Sequence, residues 1–87
     1  MLIRILTQDK NRKWLLRTVA EYFPNFTVYK TVGWWKKGKE RSLVLEIDTP
    51  DQIWMSGKLR LLCAKIKGYN KQESVLVQRV ETDSEFY

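Results

Sequence analysis

Eighty-seven residues allow one domain and leave no room for a second core, and 44% hydrophobic with 30% charged residues is ordinary globular composition, which excludes a disordered chain. No apolar run approaches the ~20 residues of a membrane span, and the opening Met1-Leu2-Ile3-Arg4-Ile5-Leu6 is too short for a secretory signal, so a cytoplasmic protein with no membrane partner is expected. The net charge of +6 is unevenly spread: Met1–Lys71 holds fifteen basic and six acidic residues (+9), whereas Gln72–Tyr87 holds one against four (−3). A basic body attracts anions, whether nucleic acid, nucleotides or an acidic protein.

Leu2–Thr7 is a short, partly β-branched apolar run and predicts a strand. Asp9 is placed to cap a helix from about Lys10 to Phe23, whose face is Leu15, Leu16, Val19 and Phe23, and Pro24 ends it. Phe26–Trp35 alternates Phe26, Val28, Val32 and Trp34 against Thr27, Tyr29 and Thr31. Glu40–Asp48 alternates Leu43, Leu45 and Ile47 against Ser42, Val44, Glu46 and Asp48. Between these strands Lys36-Lys37-Gly38-Lys39 predicts a hairpin turn, with Gly38 free to take a positive φ.

Thr49-Pro50-Asp51-Gln52 has the form of a capping box and predicts the start of a second helix. Met55, Leu59, Leu62, Cys63 and Ile66 form its apolar stripe, and Gly68 is the expected stop. Ser74–Glu81 predicts the last strand. The order is β-α-β-β-α-β: an α+β, ferredoxin-like βαββαβ plait with a four-stranded antiparallel sheet and two helices on one face. The expected domain is 1–81, with 82–87 an acidic, frayed tail.

Catalytic chemistry is poorly supplied. The absence of histidine removes the imidazole base and the usual nucleophile pairs and zinc sites, and one cysteine excludes an internal disulfide. Cys63, within an apolar stripe, is expected to be a buried and inert thiol. Glu40, Glu46 and Asp48 share a strand face, a pattern that any solvated strand shows, so no metal site is expected. No glycine-rich phosphate loop is present. We therefore expect a protein that is not an enzyme, with no catalytic residues, metal or cofactor.

RNA-recognition modules of this topology stack bases on aromatics of the first and third strands, and here Leu2–Leu6 and Arg41–Leu45 carry none. A basic-patch mode through Lys10, Lys13 and Arg17, or through the hairpin tip, keeps nucleic acid as an alternative partner. Trp14 is placed opposite the first helix's stripe, Trp54 on a ridge with Lys58, Leu61 and Lys65, and one of the adjacent Trp34 and Trp35 must face away from the helices. Large rings at the rim of a small core would explain part of this pattern; surfaces built for contact would explain the rest.

The segment Val32-Gly33-Trp34-Trp35-Lys36-Lys37-Gly38-Lys39-Glu40, leading into Ser42-Leu43-Val44-Leu45, resembles the second-to-third-strand hairpin of the CutA proteins, which are PII-like ferredoxin-fold trimers. The likeness implies self-association and ligand binding between subunits; CutA-type metal ligands are missing, so it implies no metal role. Gly33…Trp35-Lys36…Gly38…Glu40…Ser42-Leu43, with Asn70…Gln72-Glu73-Ser74-Val75, also resembles small phage and bacterial proteins.

The expected function is thus a non-catalytic, self-associating module, a dimer or trimer, that binds an anionic nucleotide-like ligand or protein. Its alternatives are nucleic-acid binding through the basic body and phage-encoded inhibition of a host protein. The expected site is Trp34, Trp35, Lys36, Lys37 and Lys39, with Trp54, Lys58 and Lys65 as second choice. Trp34, continuing the row of Val28, is expected to matter to the fold. The open sheet face and the Phe26–Trp35 strand, placed at a sheet edge, are the expected surfaces of self-association.

Overall fold

The computed structural model describes residues 1–36, 38–50, 57–72 and 74–81, with Trp35 described by its backbone alone. The elements run β1 (Leu2–Gln8), α1 (Arg12–Tyr22), β2 (Thr27–Trp35), β3 (Gly38–Asp48), α2 (Gly57–Asn70) and β4 (Leu76–Val80). Every strand pairing is antiparallel, in the order β2-β3-β1-β4. This is the ferredoxin-like plait that the alternation predicted, with β2 at a sheet edge.

Period-two alternation divides β1 cleanly: Ile3, Ile5 and Thr7 are buried, while Leu2, Arg4, Leu6 and Gln8 are half-buried. Ile3 and Ile5 join Leu43, Leu45 and Ile47 of β3 against Leu15, Val19 and Phe23 of the first helical layer and Leu59, Leu62 and Ile66 of α2. Both helices therefore cover one face. Truncating one of these aliphatics to alanine costs about 2–5 kcal/mol, because the packed neighbours only partly close the gap. The opposite face presents Leu2, Arg4 and Leu6 of β1 beside Val44 and Glu46 of β3.

Several ends differ from expectation. Helix α1 begins after Asn11, which takes a left-handed conformation (φ 50°) and makes no side-chain cap. Asp9 is not the cap: its carboxylate accepts from Arg12 Nε at 3.0 Å and from a second guanidinium nitrogen. A charge-assisted pair outcompetes a neutral cap for the same oxygens. Gly68 is not the stop of α2 either. The helix runs on to Asn70, and Lys71 takes the left-handed position (φ 52°). Lys71 N–H donates to Gly68 O at 3.4 Å and Gln72 N–H to Lys67 O at 3.2 Å, the paired closure of a Schellman motif. The expected capping residues Asp51 and Gln52, with Trp54 and Met55, lie outside the described residues.

A polar clasp joins the two loops at one end of the helices. Buried Thr7 donates its hydroxyl to Gln72 Oε1 at 3.1 Å, and Gln72 Nε2 donates to Ser74 O at 2.9 Å. Asn70, also buried, accepts from Asn11 Nδ2 at 3.0 Å and donates to Lys10 O at 3.3 Å. Buried amides satisfied in this way fix how the loop before α1 meets the end of α2.

Candidate functional site

The register of the sheet builds the site. β1 spans β3 only from Asp48 to Ser42, so the pairs Val32↔Arg41, Gly33↔Glu40, Trp34↔Lys39 and Trp35↔Gly38 extend past it. These four rungs form a two-stranded arm with no third strand behind them. Trp35 and Gly38 form the last pair of the hairpin, and Lys36, which leaves that pair, takes the left-handed conformation (φ 46°) that tight hairpins favour. Gly38 was expected to supply that φ; it is instead the first residue of β3. The left-handed position falls two residues earlier, at Lys36, in keeping with the pairing of Trp35 with Gly38.

Alternation places Lys30, Val32 and Trp34 on one face of the arm, with Lys39 and Arg41 opposite them on the same face. Trp34 is 70% exposed and Val32 is 62% exposed. The row that begins with core-packed Val28 thus leaves the core before it reaches Trp34, which corrects the expectation that Trp34 supports the fold. Lys39 Nζ lies 5.3 Å from the centre of the Trp34 ring, a cation–π contact. Such exposed contacts hold about 0.5–1 kcal/mol, little enough for an entering ring to displace the ammonium. Strand spacing sets Lys39 and Arg41 about 7 Å apart along β3, both on the face of the indole.

Asp9 flanks the base of this face. Its carboxyl is held below the usual carboxylate range by the Arg12 hydrogen bond first, and less strongly by Lys30 and Arg41, with desolvation opposing.

Of the expected site residues, the structure brings Trp34 and Lys39 into contact and sets Lys36 in the turn beside them. Lys37 lies outside the described residues, and Trp35 is placed by its backbone at the last rung. Lys58 and Lys65 belong to a different place. Lys58 Nζ sits 4.8 Å from the Phe23 ring centre and Lys65 Nζ 5.1 Å from that of Tyr22, so both turn toward the end of α1. The Tyr22 hydroxyl also raises the Lys65 pKa by hydrogen bonding. Trp54, expected on that ridge, is outside the described residues. Val32 and Arg41 were not singled out in the sequence; pairing the two strands about Lys36–Lys37 would have placed both beside Trp34.

Other candidate chemistry is sparse. Cys63 is half-buried, and desolvation pushes its thiol up, away from the reactive thiolate. Among the described residues no group of three or more acids, thiols or imidazoles could hold a metal, and no helix is long and apolar enough to cross a membrane. An open groove at the other end of the sheet, lined by Met1, Leu2, Phe26, Glu46 and Asp48, is acidic and unsuited to an anion.

No family model matches the chain, and no curated protein matches it. Two solved structures share its fold. A DUF3240 family protein from Shewanella baltica OS155 superposes with a TM-score of 0.60 at 16% identity, over 99% of this chain and 94% of that one. A phage SAM lyase in complex with S-methyl-5'-thioadenosine superposes with a TM-score of 0.57 at 19% identity, over 87% of this chain and 76% of that one. At such identities the likeness is one of fold, and it agrees with the strand order: the chain has a small ferredoxin-like fold.

Proposed function

We propose that this chain is a non-catalytic binding module that works as an assembly of its own copies and holds an anionic, ring-bearing partner of the nucleotide kind on its hairpin arm. The observation that carries this reading is the exposed Trp34 indole with the Lys39 ammonium over its face, on an arm that the sheet supports from one end only. A base would stack on the indole for about 1–3 kcal/mol while Lys39 and Arg41 take the phosphates. The arm is also the segment that resembles the CutA hairpin, and the phage SAM lyase gives one instance of a similarly folded chain with a nucleoside bound. The non-catalytic part of the reading is supported by the lack of histidine, which removes Ser–His and Cys–His pairs, and by the desolvation that raises the Cys63 pKa.

Equilibrium dialysis with ATP as the probe tests the reading. Saturable binding is expected, reduced at least roughly tenfold by Trp34→Ala and by Lys39→Glu, with only a shallow dependence on salt. Trp34 is exposed, so its truncation should leave the melting temperature nearly unchanged. Binding that is absent, or equal in both variants, overturns the assignment. A steep salt slope with single-stranded DNA and none with ATP would favour a nucleic-acid partner instead.

A further inference from the structure

The face of the sheet that the helices leave uncovered differs in charge from the rest of the molecule. In a chain of net charge +6, its strand positions carry one cation, Arg4, against Glu40, Glu46 and Asp48. Asp48 is met by the amino terminus of Met1 at 3.6 Å. At the centre of the face Arg4 Nη2 lies 3.9 Å from Glu46, which also accepts the Tyr29 hydroxyl. That bond raises the Tyr29 pKa. Arg4 Nε is shielded from solvent and has no partner among the described residues. The guanidinium is therefore only partly satisfied within one chain. Beside it lies an apolar band of Leu6, Tyr29 and Leu76, in which Tyr29 is 40% and Leu76 53% exposed, with Val44, already buried within the chain, as its floor.

The register makes this face complementary to itself. Arg4 stands opposite Glu46, Leu6 opposite Val44, Val44 opposite Tyr29, and Leu6 opposite Leu76. Consider a two-fold axis lying parallel to the strands, midway between β1 and β3. It carries β1 of one copy over β3 of the other, and β4 over β2. Each Arg4 then faces the other copy's Glu46, each Leu6 faces Val44, and each Leu76 faces Tyr29. Aligned sheets cross at about 30° because of their twist, which moves the outer pairs but keeps the central ones together. A two-fold interface must be self-complementary, and these pairs meet that demand without any change of register.

We propose that the open sheet face is the surface on which a second copy of this chain docks, with reciprocal Arg4–Glu46 pairs at its centre. The inference rests on the self-association in the functional reading above, takes the open face expected from the sequence over the β2 edge, and adds its symmetry and its central charges. It does not involve the hairpin arm.

The test exploits reciprocity. Sedimentation equilibrium at roughly 50 µM, where a dimer with micromolar Kd is populated, should show wild-type dimers. Arg4→Glu and Glu46→Arg should each dissociate at least roughly tenfold more readily, since each sets like charges against one another across the axis. Mixing the two variants should restore a one-to-one heterodimer. In that mixture the in-chain pair is repulsive in both partners and only the contacts between chains are complementary. A purely structural role for Arg4 and Glu46 predicts no recovery. Should either charge variant fail to fold, Leu76→Glu substitutes an exposed side chain and should also give monomers. A monomeric wild type, a trimer, or variants that stay dimeric overturn the proposal. Parallel dialysis with ATP keeps the two readings apart: binding without dimers removes the interface, and dimers without binding remove the ligand assignment.

Discussion

The indole of Trp14 lies on the ring of Tyr69, with centroids 3.8 Å apart and planes 8° from parallel. One ring comes from the first turn of α1 and the other from the last turn of α2, so the stack joins the two helices beside the Asn11–Asn70 clasp. Trp14 packs against the core from that flank. It had been expected on an outward surface, and its role is internal.

Replacing Trp14 by alanine should therefore destabilise the fold by about 2 kcal/mol, less than a fully buried tryptophan because the ring is only half covered. Tyr69→Ala should cost about 1 kcal/mol. A double-mutant cycle by urea denaturation should give a coupling of about 0.5–1.5 kcal/mol, as stacked aromatics do. Additive losses would mean the rings are neighbours without interaction.

Lys71 closes α2 from a left-handed conformation that a side chain adopts at a cost. Lys71→Gly should raise stability by about 0.5–1 kcal/mol, the relieved strain being partly offset by the freer unfolded chain. Thermal melts at neutral pH measure this, and a lowered melting temperature would show that the lysine side chain contributes more than the strain removes.

Asp9 gives a pH-dependent prediction. Its pKa is lowered in the folded chain, chiefly by the Arg12 hydrogen bond. The stability it contributes is therefore present above the unfolded value of about 3.9 and is lost as pH falls through the folded value. Asp9→Asn should melt lower than wild type at pH 7, and the gap should close as acid protonates the folded carboxylate. A gap that persists in acid would mean the loss is steric.

How much the sequence discloses depends on which neighbour buries a residue. The Ile3/Ile5 and Leu43/Leu45/Ile47 rows show their buried face by alternation alone, so the plait and the edge position of β2 were legible. Trp14 was not. The period of α1 reports the stripe that meets the sheet, whereas Trp14 lies on the flank turned to α2. One helix read alone carries no mark of a second helix beside it. The arm was half legible. Trp34 and Lys39 stood out by type, but their contact follows from the register that sets them opposite one another, and the exposure of Trp34 follows from β1 ending at Gln8. The contact and the exposure are long-range consequences of register that local pattern does not contain.

Glutamine at position 72 illustrates the same point. Its neighbours in sequence suggest a loop, yet it is buried and completes the Thr7 hydroxyl. Gln72→Leu should cost about 1–3 kcal/mol, because it leaves a buried hydroxyl and a carbonyl without their partner. Thr7→Val in the same background should recover part of that loss; no recovery would show that the amide acts mainly through Ser74.

The central claim, a ring-bearing anion held on the hairpin arm, is tested most directly by following backbone and indole amide resonances during titration of the wild-type chain with ATP. The account predicts saturable shifts confined to Val32–Arg41, led by the Trp34 indole N–H and the Lys39 amide, with α1 and the acidic groove near Asp48 unmoved. Shifts centred on α1 or α2, or none at millimolar ATP, would contradict it.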